Sequence, residues 1–75
     1  MDIIKKYYQM DRSKISFLRY ILEAYDGIAV LTTTDKVKGV VVIRISAGFE
    51  DEVDVILSDL KEKLSIEPFE NKENN

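Results

Sequence analysis

The chain has 75 residues, enough for one small domain that buries only about 60% of the surface its unfolded state exposes. It contains no Cys and no His, which excludes disulfides, thiolate or imidazole metal ligands, and nucleophiles activated by His. The net charge of −3 is unevenly placed, +3 over residues 1–48 and −6 over residues 49–75, and its sign disfavours nucleic acid, whose phosphates are held by Lys and Arg.

Taken in chain order, Met1 to Lys6 lacks the apolar core of a signal peptide, and the longest apolar run, Val40 to Ile43, is far short of a membrane span. A cytoplasmic location without membrane contact is expected. Residues 3–10 read as a first strand because they are rich in aromatic and β-branched side chains. Alternation puts Ile4, Lys6, Tyr8 and Met10 on one face and Ile3, Lys5, Tyr7 and Gln9 on the other. Asp11 or Ser13 then offers a side-chain oxygen to the free N–H groups of a first helix, expected to run to about Asp26. Gly27 ends it in the left-handed conformation that glycine adopts most readily. At 100° per residue, Ile15, Leu18, Ile21, Leu22 and Tyr25 make one apolar stripe. Phe17, Tyr20 and Ala24 make a second, which either meets another helix of the same chain or contacts a partner.

Ile28 to Thr34 reads as a second strand, residues 35–39 as a turn with Gly39 at positive φ, and Val40 to Ser46 as a third strand. Val41, Ile43 and Ile45 share one face; Val40, Val42, Arg44 and Ser46 share the other. A second helix is expected over about Phe49 to Leu64, with Val53, Ile56, Leu57, Leu60 and Leu64 as its buried row. Residues 65–69 can add a fourth strand, necessarily at an edge because Pro68 has no N–H to donate. Residues 70–75 contain no apolar side chain and are expected to be disordered. The order β-α-β-β-α(-β) in one domain over residues 1–69 predicts an α+β, ferredoxin-like sandwich, an antiparallel sheet with both helices on one face. The other sheet face then carries Val40 and Val42, poor residues to leave in water.

Little of this chemistry suggests catalysis. Gly27, Gly39 and Gly48 are isolated and form no phosphate-cradling loop. Glu50, Asp51, Glu52 and Asp54 cluster at a helix start, where the helix dipole accounts for them, and no spaced cation loop is present. Tyr7 and Tyr8 on a strand bring base stacking to mind, but Val40 to Arg44 replaces the aromatic-Gly-aromatic signature of RNA-binding sheets. No enzyme activity, metal or cofactor is expected.

The run Met10-Asp11-Arg12-Ser13-Lys14-Ile15, followed by Ile21-Leu22 and Gly27-Ile28, resembles the opening of ACT domains, small ligand-sensing regulatory modules. The stretch Ile21 to Val30, with the later Gly48 and acidic helix, is similar to a small bacterial family of unknown function with ACT-like features. The resemblance implies a ferredoxin-like unit that pairs with a copy of itself and binds a ligand by the loop after its first strand. Carried over, Asp11 and Arg12 match the motif, while Ser13 and Lys14 stand where ACT domains have Pro and Gly. Lys14 brings a Cβ and a cation where glycine admits close approach. Arg12 and Lys14 beside a helix start suit a small anionic ligand. The expected function is thus a non-enzymatic, ACT-like ligand-sensing or regulatory module, with a structural or protein-interaction module as the alternative. A homodimer or higher homo-oligomer is expected, because a domain this small has few other supports. Its interface is expected to include Val40 and Val42 on the open face, or Phe17, Tyr20 and Ala24 on the first helix.

Overall fold

The computed structural model describes residues 2–70. Of the tail expected to be disordered, only Glu70 falls within the described residues. The chain forms a small α+β domain in which four antiparallel strands make one sheet: β1 (Ile3–Gln9), β2 (Ala29–Asp35), β3 (Val40–Ser46) and β4 (Glu67–Pro68). Three helices accompany them: α1 (Ile15–Glu23), α2 (Glu50–Asp59) and α3 (Lys61–Leu64). The strand order is β2-β3-β1-β4.

The sheet is organised around β3. It pairs along its length with β1, Ile4 opposite Ile45 and Tyr8 opposite Val41, and with β2, Leu31 opposite Ile43. Strand parity then sorts the side chains. Val41, Ile43 and Ile45 join Tyr8, Met10, Leu31 and the buried rows of the helices in one core. Leu18 and Leu22 of α1, Val53 of α2 and Leu64 of α3 are its most enclosed members beside β3. Both connecting helices therefore lie on the Val41 face, and the opposite face carries none among the described residues.

The start of α1 follows the expected cap. The Asp11 carboxylate accepts hydrogen bonds from the Ser13 N–H at 2.9 Å and the Ser13 hydroxyl at 2.7 Å, and a 3₁₀ turn over Arg12–Lys14 leads into the helix. The helix is shorter than its pattern suggested. It closes at Glu23, and the Tyr25 and Ile28 N–H groups make three-residue turn bonds to Leu22 and Tyr25. Helical periodicity stops there, so Tyr25, expected on the buried stripe, is 47% exposed.

The second helix also departs from expectation. Leu60 leaves helical geometry (φ −104°, ψ 7°) and divides the expected single helix into α2 and α3. The apolar row runs through the break, which is why spacing alone did not mark it. Beyond it Leu64 is wholly buried, and its carbonyl accepts the Asp11 N–H at 3.0 Å. Ser65 then takes the left-handed conformation (φ 50°), with Ser65 N–H bonded to Glu62 and Ile66 N–H to Lys61. This is a Schellman closure with serine where glycine is usual. It occupies the start of the expected fourth strand, leaving only Glu67 and Pro68 in β4.

Opposite Tyr8, Pro68 needs no donor. The Phe69 N–H bonds the Tyr7 carbonyl, so the odd-numbered residues of β1 face β4 and Tyr8 turns its own N–H and C=O toward β3.

Val40 and Val42 lie on the helix-free face as expected, yet they are only 4% and 2% exposed. Their cross-strand neighbours cover them: Tyr7 and Thr32 flank Val42, and Gln9 and Asp35 flank Val40.

Three substitutions probe the left-handed positions at Gly27, Gly39 and Ser65. At Gly39 (φ 77°) an added Cβ would collide with the Met10 carbonyl oxygen, whereas at Gly27 (φ 82°) it meets open space. Gly39→Ala is expected to destabilise by more than about 2 kcal/mol, roughly 8–16 °C in Tm, and Gly27→Ala by about half that energy. Ser65→Gly is expected to stabilise by about 0.5–1 kcal/mol, the relief of left-handed strain outweighing the added chain entropy. Thermal unfolding of the three variants measures both effects.

Candidate functional site

The helix-facing side of β1 reads Ile4, Lys6, Tyr8, so a lysine interrupts an otherwise apolar row. Along α2 and α3, Asp54, Ser58 and Lys61 recur at i, i+4 and i+7 and form a polar row beside the buried one. The two rows meet at the side of the sheet where β4 is only two residues long. Between them is an open cleft of about 390 Å³, lined by Lys6, Tyr8, Asp54, Leu57, Ser58 and Lys61, with Ile66, Glu67 and Pro68 at its β4 end.

Two cations and two carboxylates surround this cleft. Lys6 Nζ lies 3.5 Å from Asp54 Oδ1, a half-exposed pair that contributes under about 1 kcal/mol. Lys61 has no ion-pair partner among the described residues, and the Tyr8 hydroxyl has no hydrogen-bond partner among them. Burial pushes the Tyr8 phenol above its ordinary value, and the nearby Asp54 charge adds to the rise. Leu57 and Ile66 supply an apolar floor. The arrangement offers a cation, a free phenolic hydroxyl and apolar surface to one small molecule. Among the described residues no three carboxylates are grouped to hold a metal ion.

The residues singled out from the sequence are placed elsewhere. Asp11, Arg12 and Lys14 form the turn between β1 and α1. The Asp11 carboxylate is engaged with Ser13, whose hydroxyl and then N–H hold it below the usual carboxylate range. Arg12 is exposed, Lys14 is half-buried, and none of the three lines the cleft. On α1, Phe17 meets the same chain: the Lys63 ammonium sits 4.7 Å from its ring centroid. Tyr20, at 73% exposure, and Ala24 remain in solvent. Val40 and Val42, enclosed by their neighbours, have little area left for a partner. The cleft itself went unread in the sequence. Its one signal was Lys6 on an inward-facing position, matched by the polar row at 54, 58 and 61. No helix among the described residues is long and apolar enough to cross a membrane.

The phenol gives a test of this geometry. Its raised folded-state pKa means that stability is retained below the unfolded value near 10 and lost as the pH climbs through the folded value. A difference titration against Tyr8→Phe is expected to place Tyr8 above about 10. Asp54→Asn is expected to bring it part of the way back, leaving the larger contribution of burial in place.

Comparison with known proteins gives a narrow result. No curated protein and no solved structure matches the chain. A family model described as Domain of unknown function (DUF4911) matches residues 8–64, from the middle of β1 to the end of α3. The expected kinship with a small family of unknown function holds. Since the match covers well over half of its length, the chain belongs to the family Domain of unknown function (DUF4911).

Proposed function

We propose that the protein is a non-enzymatic, ACT-like regulatory module of ferredoxin-like topology that self-associates and senses a small anionic ligand. The strand order β2-β3-β1-β4, with α1 and α2 crossing one face, supports the topological part. The observation that carries the ligand part is the cleft beside β4, where Lys61 lacks an ion-pair partner and the Tyr8 hydroxyl lacks a hydrogen bond. An anion placed there pairs with Lys61 and accepts from Tyr8, while Leu57 and Ile66 receive an apolar stem. Arg12 and Lys14, in the turn that follows β1, form the alternative anion site of the same reading. The second reading, an interaction module without a ligand, draws on exposed Tyr20 and Ala24 on α1.

A thermal-shift screen across carboxylates, phosphates, amines and neutral metabolites separates these readings. A ligand at one hundred times its Kd is expected to stabilise the protein by about 2.7 kcal/mol. Anions are expected to give the shifts, and Lys61→Ala or Tyr8→Phe to abolish them while Arg12→Ala/Lys14→Ala leaves them. The reverse pattern moves the site to the β1–α1 turn. No shift from any compound leaves the interaction module.

A further inference from the structure

The helix-free face of the sheet carries a like-charge pair. Lys5 of β1 stands directly opposite Arg44 of β3. The Phe69 N–H bonds the Tyr7 carbonyl, so the odd-numbered residues of β1 turn their backbone groups away from β3. Lys5 and Arg44 are therefore a pair without mutual hydrogen bonds, the closer of the two antiparallel spacings, with Cα atoms about 4.5 Å apart. Like charges placed this way destabilise a sheet. Neither has an ion-pair partner among the described residues. The acids of the four strands, Asp35 and Glu67, stand opposite Val40 and Gln9, four residues along β3 and β1 from the pair and about 13 Å away. Arg44 is nonetheless held in place: half-buried, it donates from one guanidinium nitrogen to the Thr32 hydroxyl at 3.1 Å, with most of its donors left unengaged.

Aromatic surface adjoins the pair. Tyr7 is the next residue of β1 on this face, and Phe69 follows Pro68 into the place opposite Tyr7. Alternation sets both rings on the side that bears Lys5 and Arg44, and both are half-buried. We infer that this face binds a phosphate monoester carried on a flat ring, the chemistry of a nucleoside monophosphate, with Lys5 and Arg44 taking the phosphate and Tyr7 and Phe69 the ring. The site lies on the opposite side of the sheet from α2 and the cleft beside β4, and it goes beyond the proposed function.

Charge selects the ligand. A phosphate monoester carries close to two negative charges near neutral pH, enough to relieve both cations, where a carboxylate carries only one. Its oxygens suit an arginine fork already held by Thr32 and an ammonium across from it. Tyr7 is two residues from Lys5, about 7 Å along the strand, a distance that one small molecule spans. A flat ring laid on Tyr7 and Phe69 stacks there and shields their faces from water. The net charge of −3 opposes a long polyanion far more than a single monoester, so the ligand is small.

Titration of the full chain with phenyl phosphate, adenosine monophosphate and inorganic phosphate, followed by backbone amide NMR shifts, tests this. The two esters are expected to move the amides of Lys5, Tyr7, Thr32 and Arg44, and to bind roughly tenfold more tightly than inorganic phosphate. Lys5→Thr and Arg44→Thr are each expected to weaken ester binding roughly tenfold. Tyr7→Leu is expected to remove much of the preference for the esters while keeping Val42 covered. Lys5→Thr is also expected to raise the Tm of the free protein, because it ends the repulsion, so that its lost binding is not lost folding. Lys61→Ala and Tyr8→Phe, which disable the cleft, are expected to leave these shifts unchanged, so the two sites stand or fail separately. Shifts confined to the cleft, or none on the helix-free face, overturn this site. Equal binding of esters and inorganic phosphate overturns the ring contact, and tighter binding of a single-stranded oligonucleotide than of adenosine monophosphate overturns the small-ligand assignment.

Discussion

The seven residues of β3 pair along their length with β1 on one side and β2 on the other, and Val40 to Ile43 are buried on both faces of the sheet. That double burial explains why β3 is a continuous apolar run where an antiparallel strand with one wet face would alternate. It also fixes register. A slip of one residue would carry Val41, Ile43 and Ile45 to the helix-free face and turn Arg44 into the core, so the hairpin at Gly39 and the β1 pairing have a single low-energy solution. Gly39 joins these constraints, because it lets the turn close against Met10, whose N–H bonds the Gly39 carbonyl.

The same central strand determines which parts of the fold were legible in the sequence. β3, its turn and the two faces of β1 followed from alternation and glycine chemistry, both local signals. The Asp11 cap was legible for the same reason: donor and acceptor are two residues apart. The ends of α1 and α2 were not. Tyr25 keeps helical spacing after the helix has closed, and Leu60 sits in an unbroken apolar row although its backbone leaves the helix. Periodicity records which side chains are wanted inside, not where the backbone hydrogen-bond pattern changes. The cover over Val42 was illegible in a different way. It comes from Tyr7 and Thr32 on two other strands, and only the register brings them together.

The cleft belongs to this nonlocal class. Lys6 and Tyr8 come from β1, Asp54 and Ser58 from α2, and Lys61 from beyond the break at Leu60. The Asp11–Lys14 turn was easier to notice because its residues are consecutive, yet its carboxylate already has a structural partner in Ser13. Sequence proximity favoured the turn, whereas the three-dimensional arrangement favours the side chains whose hydrogen-bonding and charge requirements remain open.

Those openings share one cause with the asymmetry of the sheet edges. The break at Leu60 and the left-handed closure at Ser65 use residues that a longer fourth strand would need. With β4 held to two residues, the side of β1 bearing Lys6 and Tyr8 is left open, and a cleft of about 390 Å³ remains beside it. A full strand there would turn its side chains toward α2 and occupy that volume. Strand length thus divides the work between the two edges: the shortened β4 edge keeps a cavity and its guarding proline and lysines, and the seven-residue β2 edge, uncharged from Ala29 to Thr34, keeps its outward donors and acceptors.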